Sequence, residues 1–383
     1  MSKINELIKE MCPNGVEFKK LEDCCNILDN KRKPISKGTR EMGEYPYYGA
    51  NGIQDYISDY IFDGKYVLVG EDGSVQTPNG TPIVNWAIGK IWVNNHAHII
   101  EEIDGVSLRY LYHYLQIVDV KDLIHGNIPK LNQSNFRNIK IAVPPLEVQE
   151  EIVKILDKFG ELEAELEAEL EARKNQYEFW RGKLLNTGNS NQEYITLGDI
   201  GKVCMCKRIM KNETSDSGDV PFYKIGTFGK QADAYISYDI FNDYKKRFSY
   251  PKKGEILVSC SGTIGRSVVF DGEDAYFQDS NIVWLSNDES KVLNKFLYYF
   301  YQTSPWNISD GGTIKRLYNN QFISAKVPLY SLEEQKKIVD ILERFDTLIN
   351  DISDGLPAEI KLRRKQYEYY RNKLLSFEVC NDE

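Results

Sequence analysis

The chain has 383 residues, 42% of them hydrophobic, and a formal net charge of −9. That length leaves room for two or three domains with cores of their own. No run approaches the ~18 apolar residues of a membrane span, and the opening MSKINELIKE is too charged for a signal peptide, so a cytoplasmic chain with no membrane partner is expected. The seven cysteines are odd in number, scattered and without paired CxxC spacing, which argues against a disulfide framework and against bound metal. Charge is unevenly placed: residues 147–171 hold ten acids against Lys154 and Lys158, so the rest of the chain is nearly neutral. Net charge alone therefore does not exclude nucleic acid, because local patches decide that contact.

Four blocks follow in chain order: 1–143, an α/β domain with a short N-terminal helix; 144–190, a helical spacer; 191–328, a second α/β domain; and 329–383, a second helical spacer and tail. In the first block Tyr66–Val69 and Ile139–Val143 read as strands, residues 108–117 as a short helix, and Gly64, Asn79-Gly80 and Asn51-Gly52 as turns. Pro144-Pro145 closes the last strand, and a long helix is predicted from Leu146 to Leu185. Its apolar face runs through Ile152, Ile155, Leu156, Phe159, Leu162 and Leu166, then through Tyr177, Trp180 and Leu184 after a phase slip. Such a helix is roughly 60 Å long and needs a partner to cover its stripe. Thr187–Asn191 forms a polar break. In the last block Gly355-Leu-Pro357 predicts a kink or turn, with a fresh helix from Ala358.

The chain then repeats itself. Moving 126–162 forward by 186 residues superposes fourteen identities, among them Leu131, Phe136, Gln149, Ile152, Leu156 and Phe159; moving 173–185 forward by 190 adds eight more. A chain that writes one passage twice has two similar halves, and its function is to be read as paired. The fold expected is mixed α/β (α+β): two similar domains separated by two long, antiparallel-paired helical spacers, related by pseudo-twofold internal symmetry. Residues set to pair the helices or hold partner subunits are Ile152, Leu156, Phe159, Leu162, Tyr177, Trp180, Ile338, Leu342, Phe345, Tyr367 and Tyr370.

This block order, with the phrases Pro144-Pro145-Leu146-x-x-Gln149, Leu332-Glu-Glu-Gln335-x-x-Ile338-Val339 and Arg364-Lys-Gln-Tyr367-Glu-Tyr369-Tyr370-Arg371, resembles the specificity subunit of a type I restriction–modification system. Gly70-Glu-Asp-Gly73 and Trp92-Val-Asn-Asn-His-Ala-His98 resemble one class of target-recognition domain, and Ser261-Gly-Thr-Ile-Gly265-Arg266 another. The resemblance implies a non-catalytic subunit that reads the two halves of a bipartite double-stranded DNA target, with the helices setting the spacing. It also implies two methyltransferase subunits that use S-adenosylmethionine and two motor–nuclease subunits that use ATP and Mg. No cofactor is expected on this chain itself.

Reading bases takes paired donors and acceptors, and holding phosphates takes Lys and Arg. The candidates in the first domain are Lys31, Arg32, Lys33, Lys90, Asn94, Asn95, His96, His98 and Lys130. In the second they are Lys207, Arg208, Lys224, Ser261, Thr263, Arg266, Lys315 and Arg316. Lys130 and Arg316 are equivalent in the repeat and are expected to do one job twice. His96-x-His98 lacks a third ligand at metal spacing, and Gly262-Thr-Ile-Gly-Arg266 lacks the spacing of a nucleotide-binding loop. Competing readings are a coiled-coil scaffold without DNA and a self-sufficient nuclease or methyltransferase. The latter lacks an Asn/Asp-Pro-Pro-Tyr/Phe-like loop, since Pro144-Pro145 sits between Val143 and Leu146.

Overall fold

The computed structural model describes residues 2–185, 192–308, 315–351 and 353–379; the predicted break Thr187–Asn191 lies outside the described residues. The chain divides into two compact units, Met1–Glu167 with Glu359–Glu383, and Ala168–Ala358. Each unit thus joins one α/β block to part of both helical spacers. Among the described residues no helix is long and apolar enough to cross a membrane. The six described cysteines are free thiols.

In the first unit a six-stranded sheet runs in the order Asn26–Ile27, Ala97–Glu101, Phe62–Gly70, Val84–Val93, Met42–Gly49 and Gly52–Ile57. Its pairs are antiparallel except the one that sets Tyr47 beside Trp92. The strand Phe62–Gly70 is central, and its run Val67-Leu68-Val69 is fully buried, so it can be continuously apolar. Gly64, expected at a turn, instead lies inside this strand opposite Gly89. The turns expected at Gly52 and Gly80 are present, with φ of 100° and 85°, values that favour glycine. The second unit holds a four-stranded antiparallel sheet, Gly201–Cys204, Ile282–Asn287, Ile256–Ser259 and Ser267–Val269, and a three-stranded one built on Val220–Tyr223.

Both units open and close their α/β block in the same way. Glu17–Lys20 pairs antiparallel with Lys140–Val143, and Tyr194–Thr196 with Lys326–Pro328. The next amide then bonds back, Leu21 N–H to the Ile139 carbonyl (2.8 Å) and Leu197 N–H to that of Ala325 (3.0 Å).

The long helix spans Leu146–Leu185 as predicted. The second spacer is Leu332–Asn350, started by a Ser331–Glu334 capping box, followed by Leu356–Leu375. The restart falls at Leu356 rather than Ala358, because Pro357 is tolerated in a first helical turn. A side chain at Gly355 would collide with the carbonyls of Thr347, Asp351 and Leu348, at 2.6–2.9 Å. In the first unit Phe159 stacks on Tyr370 (5.4 Å between ring centres) and Arg364 bonds Glu163 (2.7 Å), so the two helices run antiparallel there. Ile152 and Leu156 are fully buried in that unit's core, and Leu162 is half-buried. In the second unit Tyr177 packs near Phe345, and Ile338 and Leu342 are buried. Trp180 is half-buried, with its edge to Phe179 and the Lys183 ammonium over its ring.

One side chain locks each helix start to its domain. Gln149 is fully buried; its Nε2 donates to the Gly105 and Pro144 carbonyls (3.1 and 2.8 Å), and its Oε1 accepts from Ser107 N–H (2.9 Å). Gln335, also fully buried, repeats this with the Lys291 and Tyr330 carbonyls (2.8 and 2.9 Å) and Leu293 N–H (2.8 Å). Ion pairs across the same junction repeat too, Arg109–Asp157 and Lys295–Glu343, as do the bonds of Arg371 to Gln116 and Arg181 to Gln302. Burial pushes the Asp157 carboxyl up, but bonds from His113 and Arg109 outweigh it and leave its pKa below the usual value.

Gln335→Leu should remove all three of its bonds to the backbone, each worth roughly 0.5–1.5 kcal/mol. Hydrogen exchange at the Leu293 amide should therefore accelerate at least tenfold. An unchanged rate would show that the glutamine does not hold the junction.

Candidate nucleic-acid interface

Each central strand runs out into a short loop held by the same backbone frame. In the first unit the Phe62–Gly70 strand leads to Glu71-Asp72-Gly73. Glu71 N–H donates to the His96 carbonyl (2.9 Å), the Glu71 carbonyl accepts from Leu131 N–H (2.8 Å), and Asp72 bridges to Lys130. In the second unit Ile256–Ser259 leads to Cys260-Ser261-Gly262. Cys260 N–H donates to the Asn281 carbonyl (2.7 Å), its carbonyl accepts from Leu317 N–H (2.8 Å), and Ser261 bridges to Arg316. Lys130 and Arg316 therefore occupy the same place in the two frames.

Beneath the first loop lies a buried polar network. The His98 ring is fully buried and stacks on Phe136 (4.1 Å); its Nδ1 meets Asp29 (2.6 Å) and its Nε2 the Leu131 carbonyl (2.8 Å). The Arg32 guanidinium, 11% exposed, pairs with Glu71 and Asp29 and donates to the Ala97 carbonyl (2.7 Å). Burial pushes the Asp29 carboxyl up, but the His98 hydrogen bond and charge, with Arg32 and Ile99 N–H, outweigh it and hold its pKa below the ordinary value. Asp29, Glu71 and His98 are close enough to share a metal ion, but Arg32 already supplies the positive charge that would balance the two carboxylates. Asn94, 2% exposed, accepts from His96 N–H (2.8 Å) and donates to Gln54, shaping the turn. Arg32, Asn94 and His98 thus serve the fold: burial removes them from the outward-facing candidates.

The other candidates of this unit reach solvent. Asn95, Lys31 and Lys33 are exposed. His96, 48% exposed, pairs with Asp72, and Lys130 pairs with Glu71 (3.1 Å). Lys90 is exposed on the sheet, its ammonium over the Tyr60 ring (4.6 Å) and farther from Tyr45.

In the second unit the candidates converge on the segment 278–281. Arg208 bonds Asp279 (2.9 Å), the Arg316 guanidinium donates to the Ser280 carbonyl (2.6 Å), and Ser261 donates to the Asn281 side chain (2.8 Å). Ser280 has φ of 53°, a left-handed value uncommon outside glycine, and such strain collects at functional sites. Arg266 is half-buried and donates to the Phe228 carbonyl (2.9 Å), which makes it a loop support. Thr263, Lys207 and Lys315 are exposed, Lys207 lying near the Phe248 ring, and Lys224 pairs with Asp233 (2.8 Å). Sequence reasoning missed Asp72, Asp279 and Asn281. Asp72 lies inside the phrase Gly70-Glu-Asp-Gly73, whereas Asp279 and Asn281 lie in no phrase singled out above.

Comparison with known proteins agrees with this doubled geometry. Residues 13–172 and 189–362 each match the family model described as "Type I restriction modification DNA specificity domain". The chain belongs to that family. It is 52% identical over 371 residues to a protein of Haemophilus influenzae named as a type I restriction enzyme specificity subunit, an alignment spanning 94% of this chain and 96% of that one. It is 32% identical to the Escherichia coli EcoR124I/EcoR124II specificity subunit, across 70% of this chain and 71% of that one. Its fold is similar to that of a restriction–modification S subunit from M. genitalium, with a TM-score of 0.56 at 16% identity over 94% of this chain and 96% of that one.

Because the folded-state pKa of Asp29 is depressed, its contribution to stability is present above the unfolded carboxylate range near ~3.9 and is lost as pH falls through the lower folded value. Asp29→Asn should destabilise the first unit at pH 7 and flatten its loss of stability below about pH 4, read by acid titration of hydrogen-exchange protection. An identical acid profile in the variant would remove Asp29 from the network's energetics.

Proposed function

We propose that this chain is the DNA-reading specificity subunit of a type I restriction–modification complex, each unit reading one half of a bipartite target. The observation that carries the reading is the duplicated frame. Two loops share their backbone bonds and bridge a cation at equivalent positions, while the polar side chains they present differ. Two readers of different sequences on one duplex need a common way of docking and separate chemistry for the bases. A coiled-coil scaffold would not require the frame, and matches to the specificity-domain family over both halves weigh against that alternative.

On this reading the chain is not itself an enzyme. S-adenosylmethionine belongs to methyltransferase partners, two per complex, and ATP and Mg to two motor–nuclease partners. The spacer helices fix the distance between half-sites. The acidic stretch 161–171 stays largely exposed on the long helix, which leaves it open to a protein partner. Lys31 and Lys33 are exposed without ion-pair partners among the described residues and would hold phosphates; Lys90, Lys207 and Lys315 would do the same.

Binding of the assembled complex to its target, followed over a range of salt, tests this directly. The log–log plot should fall steeply, and Lys33→Ala should weaken all sequences alike and lower the slope by about one. Binding indifferent to salt would favour the scaffold.

A further inference from the structure

We infer that Asp72–His96 in the first unit and Ser261–Asn281 in the second form one base-reading position, used twice with opposite chemistry; this rests on the DNA-reading role proposed above. The equivalence comes from the backbone. Glu71 N–H to the His96 carbonyl corresponds to Cys260 N–H to the Asn281 carbonyl, and the bridges Asp72–Lys130 and Ser261–Arg316 correspond likewise. At both places the loop residue bonds the side chain across from it: Asp72 to His96 Nδ1, and Ser261 Oγ to Asn281 Oδ1 at 2.8 Å. The frame is kept and the residues on it are exchanged; the first pair is the more open, since Ser261 and Asn281 are half-buried. His96 is 48% exposed, Asn95 beside it is exposed, and Lys130 or Arg316 flanks the pair.

The orienting bond decides what each pair offers a base. Asp72 takes the Nδ1 side of His96, so a ring carrying a single proton, held there, presents a bare Nε2, an acceptor. Ser261 occupies the Oδ1 of Asn281, so the amide presents its Nδ2 hydrogens, which are donors. In the major groove an acceptor selects an exocyclic amine, on adenine or cytosine, and a donor is accepted by the O6 or N7 of guanine, the O4 of thymine or the N7 of adenine, but by no atom of cytosine. The pair should therefore fix an amine-bearing base at one position of the first half-site and exclude cytosine at one position of the second.

The test maps methylated motifs in cells carrying the whole complex. Asp72→Ser with His96→Asn should change base preference at one position of the first half-site, by roughly tenfold or more, and leave the second half-site unaltered. Ser261→Asp with Asn281→His should do the reverse. Wild-type motifs from both variants, or changes spread over both half-sites, would overturn the inference. Should the double variants fail to assemble, the isosteric Asn281→Asp decides: altered preference at one position of the second half-site supports the inference, and unaltered preference overturns it. If the wild-type complex gives no two-part motif at all, the DNA-reading role itself is what fails.

Discussion

A buried glutamine amide is the constraint on which the architecture turns. Gln149 and Gln335 are fully buried, and each spends its two kinds of hydrogen-bonding atom on backbone groups of the adjoining domain and of the helix entry. An amide fixed by three bonds permits one orientation of the helix on its domain. Leucine could fill the volume but could not pair the two carbonyls and the amide that each glutamine bonds. The ion pairs Arg109–Asp157 and Lys295–Glu343 then set the next turns of each helix. The latch and these ion pairs together hold the start of each helix against its own domain.

The same economy shapes the loops. Their backbone bonds are repeated nearly atom for atom in the two units, yet their supports differ: a charged network of Asp29, Arg32, Glu71 and His98 in the first, and a buried Cys260 with Ser259 hydroxyl bonds in the second. Burying that much charge stabilises only when every member is paired. The network therefore reads as shape control, holding the loop rigid while the residues above it vary.

Much of this was legible in the sequence, because repetition and helix periodicity are strong signals. The Leu146–Leu185 helix, the break near Gly355 and the equivalence of Lys130 with Arg316 all followed from spacing. Tertiary facts were not legible. Gly64 reads as a turn but is carried inside a strand by its neighbours across the sheet, and Arg32 and His98 read as surface polar residues although long-range partners bury them. Asp72 stood in the phrase Gly70-Glu-Asp-Gly73 without its role showing and Asn281 gave no signal, since their meaning lies in pairings across 24 and 20 residues of chain. Gln149 and Gln335 were visible as a repeated identity, but only the bonds they make explain why glutamine stands there.

The central claim is that this chain alone sets which sequence is modified. Single-molecule mapping of N6-methyladenine, in cells with the chain and its methyltransferase and in cells lacking only the chain, tests it most directly. The account predicts a two-part motif that vanishes with the chain. A methylome unchanged by its loss, with the partner shown to be expressed and active, would contradict it.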